Sequence, residues 1–257
     1  MSNSSYYSRN GIHDYIVKNN IKNFYFVTGN MWQLIYGDPN CNPKLLVLAS
    51  GVKKEEYVQN LNNEEIKAFE ILCQIGSKTG LPVLYLKFIQ DSDRIEEFII
   101  SKDGQSFSIA SPDELTEIFS DAGLPIKEGA IKKEINDKAS SIYHLWQREH
   151  LGENIVVVDI DLIKFNSNNE IEIIFELKRS YISLEKWGPY EKDKNNYILL
   201  SKIAQTMAIK LRIIYNVRIK FPIFKDILPK IKIYNVEYIN NEIKFKSEIK
   251  EIQHCIY

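Results

Sequence analysis

Apolar residues recur along this chain at two intervals, every second residue in some stretches and every third or fourth residue in others. Alternation with period two is typical of β-strands, and spacing near 3.6 is typical of amphipathic helices. Ser111 and Glu114 form a capping-box pattern that marks the start of one helix. For the first half, the pattern predicts helix 8–19, strands 23–37 and 43–52, helix 62–78, strands 81–88 and 96–101, and helix 111–119.

The second half has the same character, and residues 121–130, with two glycines and a proline, are predicted to be a linker. Together the elements predict an α/β protein with a mixed central β-sheet flanked by helices. We expect two domains, 1–125 and 126–257. For the second half, the pattern predicts helix 131–151, strands 155–165 and 171–178, loop 180–194, helix 195–211, and strands 212–219, 230–239 and 242–249.

The order helix, strand, strand, helix, strand occurs in both halves. Residues 79–88 of the first half can be matched to residues 208–217 of the second. At the offset between these segments, the acidic strand positions of the second half fall near Gly29–Met31, where the first half has no acids. We interpret the pattern as a divergent duplication with one chemically empty copy. The alternative is a chance similarity of two α/β halves.

Charge is distributed unevenly between the halves, although the formal net charge is only −1. Residues 126–257 contain 22 Lys and Arg against 18 Asp and Glu, and residues 1–125 contain 11 against 16. A basic second half is compatible with nucleic-acid binding. The alternative is that its lysines only solvate surface helices.

Composition is that of an ordinary globular protein, with 44% hydrophobic and 26% charged residues. No apolar stretch is as long as a transmembrane helix requires, and the polar N-terminal sequence lacks the pattern of a signal peptide. The three cysteines, Cys41, Cys73 and Cys255, are scattered and odd in number, which suits a reducing compartment. We therefore expect a cytoplasmic protein with no membrane partner.

Four charged residues lie inside two apolar runs of the second half, Asp159 and Asp161 in the first run and Glu176 and Lys178 in the second. Charges in buried strands are costly unless they are paired or bind a metal. Strand alternation places Asp159 and Asp161 on one face of their strand, and Glu176 and Lys178 on one face of theirs.

The segment Asn-Ser-Asn-Asn between the two runs predicts a hairpin turn. A tight turn at its last two residues places Asp161 opposite Glu176, whereas a four-residue loop places Asp159 there. In either register, two carboxylates and Lys178 converge within about 5–8 Å. Such oxygen ligands suit Mg²⁺ or Mn²⁺, and a nearby lysine can stabilise developing negative charge. We prefer Asp161 and keep Asp159 as the second choice.

Asp161 followed by Glu176-Leu177-Lys178 on the second strand of a hairpin resembles the PD-(D/E)XK nuclease superfamily, although Ile160 replaces the proline of that motif. The resemblance covers roughly the second half. It implies a restriction-endonuclease-like fold and Mg²⁺-dependent cleavage of phosphodiester bonds. It also implies that Asp161, Glu176 and the Leu177 backbone carbonyl bind the metal and that Lys178 is the catalytic lysine.

Three further residues could support such a site. His144 is similar in position to the helical His that joins the metal in the RecB- and Cas4-like branch, and Glu149 to the helical Glu of other branches. Gln205 is similar to the Gln of a Gln-xxx-Tyr helix in the RecB-like branch, but Ile209 replaces the Tyr. The alternative for His144 and Glu149 is an ordinary residue of an amphipathic helix.

Four residues after the motif are candidate contacts to nucleic acid. Arg179 and Lys186 could contact phosphates. Trp187 and Tyr190 could stack on a base. The alternative for Trp187 is a packed loop anchor.

These observations favour a metal-dependent nuclease whose expected substrate is DNA. RNA is the alternative substrate, and a homodimer is one assembly in which the protein could act. No Gly-rich phosphate loop, GxSxG, HExxH or CxxC pattern is present, so other hydrolase classes lack support. The alternative function is a catalytically inactive, nuclease-like scaffold that binds nucleic acid or a protein partner. A third interpretation is a purely structural α/β protein whose hairpin acids pair with lysines.

Overall fold

The computed structural model describes residues 10–126, 141–220 and 224–256. The chain divides into two compact units. We call Met1–Phe26 with Ile160–Tyr257 the split unit, and Val27–Asp159 the continuous unit. The predicted α/β class is confirmed, and the chain forms two mixed six-stranded sheets flanked by helices. No helix in the described ranges is long and apolar enough to span a membrane.

The split unit contains one sheet with strand order β1-β8-β9-β10-β11-β12. All neighbouring strands are antiparallel except β9 and β10, which are parallel and are connected by helix α5. Its elements are α1 Gly11–Lys18, β1 Phe24–Tyr25, β8 Leu162–Phe165, β9 Ile171–Ser180, α5 Lys194–Thr206, β10 Lys210–Ile219, β11 Lys225–Ile239, β12 Glu242–Glu251 and α6 Gln253–Ile256.

Apolar side chains hold α1 against one face of this sheet. Ile12 and Ile16 of α1 are buried and pack with Phe175 of β9 and Ile233 of β11. On β9, these core positions alternate with Glu176 and Lys178, so the two charged residues lie on the opposite face. The amphipathic pattern of α1 therefore determines which face of β9 is left for polar groups.

The continuous unit contains the second sheet, with strand order β6-β5-β4-β3-β2-β7. Its neighbouring strands are also antiparallel, except for β3 and β4, which are parallel and are connected by helix α2. Its elements are β2 Met31–Gly37, β3 Pro43–Val52, α2 Asn63–Thr79, β4 Val83–Ile89, β5 Phe98–Ser101, β6 Ser108–Ala110, α3 Pro112–Asp121, α4 Ile142–His150 and β7 Val156–Asp159.

Local sequence signals set the ends of the helices in the continuous unit. The capping box predicted at Ser111 and Glu114 is present at the start of α3. Asn62 and Glu65 form a second box at the start of α2, and Gly80 ends that helix in the left-handed conformation that glycine adopts easily. Aromatic packing then fixes α4, where the Tyr143 hydroxyl lies 2.7 Å from that of Tyr36.

The predicted strand 155–165 is wrong as a single element. It is two strands, and β7 pairs with β2 in one sheet while β8 pairs with β9 in the other. Residues 160 and 161 lie between the two strands. Alternating apolar residues predict an extended conformation but do not specify which sheet the strand joins.

Other predicted boundaries also change. Helix 195–211 ends at Thr206, because Ala208 has a positive φ of 55° and β10 begins at Lys210. Of helix 131–151 the structure describes Ile142–His150, and residues 127–140 lie outside the described residues, as does part of the predicted linker. The predicted domain boundary after residue 125 falls inside the continuous unit, because α4 and β7 complete the core and sheet of that unit.

Candidate active site

The hairpin formed by β8 and β9 brings the predicted residues together. Its turn is closed by a hydrogen bond from the Asn169 amide to the Asn166 carbonyl, and Asn169 has the positive φ (59°) that asparagine tolerates. Leu162 pairs with Phe175, so one further step along the ladder places Asp161 opposite Glu176. This is the register preferred from the sequence, although a register shift after Lys164 and a longer turn produce it.

Asp161 is held at the start of β8 by two hydrogen bonds. Its Oδ2 accepts a hydrogen bond of 2.6 Å from the Leu177 amide. Its backbone carbonyl lies 3.1 Å from Nε2 of His13, which must donate because a carbonyl only accepts. These contacts fix the Asp161 carboxylate beside the Glu176-Leu177-Lys178 segment.

Lys178 connects Glu176 of its own strand with the start of α5. Its ammonium group lies 2.8 Å from Glu176 Oε1 and 3.2 Å from Asp193 Oδ2. The same group lies 5.9 Å from the centre of the Tyr197 ring. The Glu176 side chain is 5% exposed, but the Lys178 side chain is 24% exposed, so solvent or a ligand can reach the ammonium group.

The protonation state of Lys178 follows from these neighbours. Burial alone would lower the pKa of Lys178, but the negative charge of Glu176, together with Tyr197 and Asp193, raises it well above the usual lysine value. Lys178 is therefore a fixed positive charge at neutral pH. A charge of this kind can stabilise an anionic transition state, but it is not a general base.

His13 was not selected from the sequence, yet it contacts Asp161. It lies on α1, and its ring stacks on Phe26 at a centroid distance of 4.1 Å. The sequence did contain a signal for His13, because the number of residues between His13 and His144 is close to the offset between the matched segments of the two halves. The first helix of the chain, rather than the helix that carries His144, supplies the histidine of the split unit.

Asp159 does not share a strand face with Asp161, and that prediction is wrong. Asp159 is an exposed residue at the end of β7, where it pairs with Leu34 of β2 in the continuous unit. Asp161 belongs to the split unit. The break between β7 and β8 separates two aspartates that are two residues apart in sequence.

His144 and Glu149 also belong to the continuous unit, on α4. Nδ1 of His144 lies 2.9 Å from the Ser141 hydroxyl. Burial lowers the pKa of His144 below its usual value, and the charge of Asp159 opposes that shift. Glu149 lines an open cavity with His150. The predicted ligands Asp161, Glu176 and the Leu177 carbonyl belong to the split unit, so neither His144 nor Glu149 lies in the same unit as these ligands.

Gln205 and Arg179 have partners away from the Lys178 ammonium group. The Gln205 amide donates a hydrogen bond to the Tyr238 carbonyl, near the end of α5. The Arg179 guanidinium lies 3.0 Å from the Asp226 carboxylate, which also accepts a hydrogen bond from the Gly11 amide. Arg179 therefore ties β9 to β11 and, through Asp226, to α1.

The predicted nucleic-acid contacts in the loop after β9 differ in their exposure to solvent. Trp187 is 2% exposed and stacks in parallel on Tyr215 at 4.1 Å. Its carbonyl accepts hydrogen bonds from Lys232 and Tyr234. This is the geometry of a packed loop anchor, the alternative raised from the sequence, whereas Lys186 and Tyr190 are exposed on the same loop.

A metal would find oxygen ligands here but no large ligand cluster. Over the described ranges, no group of three or more His, Cys, Asp or Glu side chains is arranged to hold a metal ion. Two carboxylates are present, that of Glu176 on β9 and that of Asp161 in the residue before β8, and the Leu177 carbonyl lies between Glu176 and Lys178 in the chain.

Comparisons with known proteins assign no family. No family model and no curated protein matches the chain. Among solved structures, a sex pheromone precursor from Lactobacillus salivarius subsp. salivarius UCC118 gives a TM-score of 0.14 at 9% identity, over 79% of this chain. The match spans 60% of that protein's length, and a similarity this weak transfers neither fold nor function.

Proposed function

We propose that the split unit is a metal-dependent nuclease that hydrolyses phosphodiester bonds in DNA. The observation that carries the proposal is the β8–β9 register, which places Asp161 opposite Glu176 with Lys178 two residues further along. A binding scaffold has no need for the buried acid Glu176 with a second, half-buried acid, Asp161, next to it in the hairpin. The helix-flanked mixed sheet is also the architecture that the resemblance to PD-(D/E)XK nucleases implies.

The donor set fits a hard divalent cation. Asp161, Glu176 and the Leu177 carbonyl would hold Mg²⁺ or Mn²⁺, since these ions prefer oxygen ligands. Magnesium sites often use only one or two carboxylates, with water and substrate phosphate completing the shell, so a third acidic ligand is not required. When bound, such an ion activates water and stabilises charge on the phosphate.

The protein's own residues would perform three tasks. The Leu177 amide and His13 orient Asp161 through its side chain and its backbone. Lys178, a permanent cation beside Glu176, would stabilise the negative charge that develops on the phosphate. Asp193 holds the ammonium group from the other side and so positions it.

The distribution of charge supports a polyanionic substrate. The split unit contains 20 Lys and Arg against 13 Asp and Glu, whereas the continuous unit contains 13 against 21. This contrast is larger than the one between the two sequence halves. A unit that carries surplus positive charge attracts nucleic acid.

A tandem duplication would account for the two sheets. Each sheet has six strands with the same series of directions, and each has its only parallel pair where a helix crosses between the third and fourth strands. In each sheet the first strand comes from the other half of the sequence, since β1 joins β8 and β7 joins β2. We infer two copies that exchanged their first helix and strand.

Under this correspondence the continuous unit lacks the catalytic residues. The parallel pair β3–β4 can be aligned with the parallel pair β9–β10. In this alignment, the side chains that face α2 in the first pair match the side chains that face α5 in the second. Leu48 and Ser50 then stand at the positions of Glu176 and Lys178. The continuous unit is accordingly the chemically empty copy.

A cleavage assay tests the proposal. Purified protein is incubated with plasmid, linear, single-stranded and branched DNA and with RNA, in Mg²⁺, in Mn²⁺ and in EDTA. We expect metal-dependent cleavage of DNA that is lost in Asp161→Asn and in Glu176→Gln. Two matched controls should retain activity, namely Asp159→Asn from the other sheet and Glu172→Gln from the same face of β9.

The outcomes separate the alternatives. Loss of cleavage in Asp159→Asn but not in Asp161→Asn would reverse the assignment of the aspartate. Cleavage of RNA alone would change the substrate class. Absence of cleavage on every substrate, with no rise in thermal stability on adding metal, would favour the inactive scaffold that binds nucleic acid or a protein partner.

A further inference from the structure

A second polar site lies at the far end of α5 from Lys178. An open cavity of about 550 Å³ is bounded by the last turns of α5, the start of β10 and the end of β11. Lys210, Arg212 and Lys246 line it, and Glu237 is the only acid among its lining residues. The lining therefore has surplus positive charge.

The strand register groups the polar side chains of this cavity on one sheet face. Arg212 of β10 pairs with Asn235 of β11, which pairs with Lys246 of β12. The Arg212 Nε donates a 3.0 Å hydrogen bond to Asn235 Oδ1, which holds the guanidinium in place. Glu237 lies 3.5 Å from the ammonium group of Lys246 and offsets only one of the three positive charges.

We infer that this cavity binds backbone phosphates of the nucleic acid, as a contact separate from the site of cleavage. The inference rests on the nuclease function proposed above. Phosphate oxygens accept hydrogen bonds from Arg and Lys side chains, and the volume lies within the range of ligand sites. The ligand of this cavity is therefore a nucleic-acid strand that extends beyond the cleaved bond.

The length of α5 gives a minimum separation of the two sites, because Arg212 pairs with Phe175 on the α1 face of the sheet, whereas Lys178 lies on the α5 face. Lys178 contacts Asp193 at the start of this 13-residue helix, and Gln205 lines the cavity near its end. Thirteen helical residues span about 20 Å. At 3.4 Å per base pair, that distance corresponds to about six nucleotides. Substrates shorter than this should not reach both sites.

Binding of labelled DNA in EDTA tests the inference without any cleavage step. Fluorescence anisotropy is measured with a 6-mer and a 30-mer for wild type and for Lys210→Ala combined with Arg212→Ala. We expect the double variant to bind the 30-mer about tenfold more weakly and to lower the salt slope by about two. The loss should be larger for the 30-mer than for the 6-mer, because the 6-mer can occupy only one of the two sites at a time.

The matched control removes the same charge from the far ends of the neighbouring strands β11 and β12. Lys230→Ala combined with Lys250→Ala should leave binding near wild type, because Lys250 lies opposite Ile231, four rows of the ladder from Asn235 and Lys246. Lys246→Ala provides a second test if the Arg212 variant does not fold, since the Lys246 side chain is 75% exposed. It should weaken binding of the 30-mer.

Four results would overturn the inference. These are unchanged binding in the Lys210 and Arg212 double variant, equal losses in both double variants, no binding of the 30-mer by wild type, and displacement of the 30-mer by mononucleotide or inorganic phosphate at equal phosphate concentration. The nuclease proposal fails separately. If the protein binds DNA through the cavity but never cleaves it, this inference stands and the nuclease proposal fails. If the protein cleaves DNA and the double variants bind DNA as wild type does, only the nuclease proposal stands.

Discussion

Each unit contains a cluster of charged side chains, and the two clusters differ in accessibility. The open cluster, in the split unit, consists of Asp161, Glu176, Lys178 and Asp193. The closed cluster, in the continuous unit, consists of Ser50, Glu65, Tyr85 and Lys87. The Lys178 side chain is 24% exposed, and that of Lys87 is 3% exposed. Each cluster joins the third strand of its sheet to the helix that follows it.

Glu65 is at the centre of the closed cluster and is fully buried. It accepts hydrogen bonds from the Ser50 hydroxyl at 2.6 Å and the Tyr85 hydroxyl at 2.9 Å, and it lies 3.3 Å from the Lys87 ammonium group. Lys87 also donates to the carbonyls of Val58 and Asn60. One glutamate and one lysine thus neutralise each other inside the core.

The open cluster has a different balance, because Lys178 contacts two acids, Glu176 and Asp193. Asp161 lies beside this segment, where its carboxylate accepts a hydrogen bond from the Leu177 amide. A fully buried ion pair serves the structure, whereas a partly exposed lysine among several acids is suited to chemistry. The two clusters share their position in the fold but differ in the exposure of the lysine and in charge balance.

The largest effect on stability is expected in the closed cluster. Lys87→Met leaves the buried Glu65 carboxylate without its cation, which should cost about 3–5 kcal/mol of unfolding free energy. Urea denaturation measures this loss. Lys44→Met, which removes a surface lysine 3.9 Å from Asp38, should cost less than about 1 kcal/mol. Equal effects in the two variants would mean that the closed cluster does not stabilise the fold.

The loop after β9 should give an intermediate effect on stability. Trp187→Phe shrinks a buried ring stacked on Tyr215, and we expect a loss of about 1–2 kcal/mol. DNA affinity should stay at the wild-type value, because Trp187 has no exposed face for a base. The variant matched to Trp187→Phe is Tyr190→Leu, which changes an exposed ring on the same loop. Weaker DNA binding by Trp187→Phe with unchanged stability would contradict the loop-anchor assignment.

Glu176→Gln should cost less stability than Lys87→Met, since Lys178 keeps Asp193 as a partner and the neutral amide leaves no unpaired buried charge. The measurement is the same urea denaturation as for Lys87→Met. A loss as large as that of Lys87→Met would mean that Glu176 and Lys178 form a structural ion pair. The two clusters would then not differ in role.

The smallest effect concerns pH in the continuous unit. Because burial lowers the pKa of His144, the unfolded chain binds more protons than the folded chain as pH falls below about 6.5. This histidine therefore removes stability on the acid side and none at pH 8. His144→Gln should reduce the fall in melting temperature between pH 7 and pH 5. An identical fall in wild type and variant would contradict the prediction.

Local chemistry made much of this structure predictable. The capping residues Ser111 and Glu114 specify α3, and the turn at Asn166–Asn169 specifies a hairpin because asparagine adopts positive φ. That hairpin placed Asp161 opposite Glu176. Signals that act between near neighbours in sequence were sufficient for these features.

The choice of sheet was not predictable in the same way. Residues 156–165 alternate like one strand, yet they contribute to two sheets, since β7 pairs with a strand from the distant first part of the sequence. His13 was missed for the same reason, because α1 reaches Asp161 only through the fold. Asp193 was also missed, since nothing in its loop sequence indicates that α5 begins beside Lys178.

The most direct test of the account is the cleavage rate and melting temperature of Lys178→Ala, measured in Mg²⁺ and in EDTA. We predict that cleavage is lost because Lys178 acts on the substrate, while the protein still folds and binds DNA. Its melting temperature should fall, because the buried Glu176 loses the cation that lies 2.8 Å away. Lys164→Ala, on the neighbouring strand β8, should retain cleavage. Unfolding of Lys178→Ala, or undiminished cleavage by a folded Lys178→Ala protein, would contradict the claim that the open cluster is catalytic.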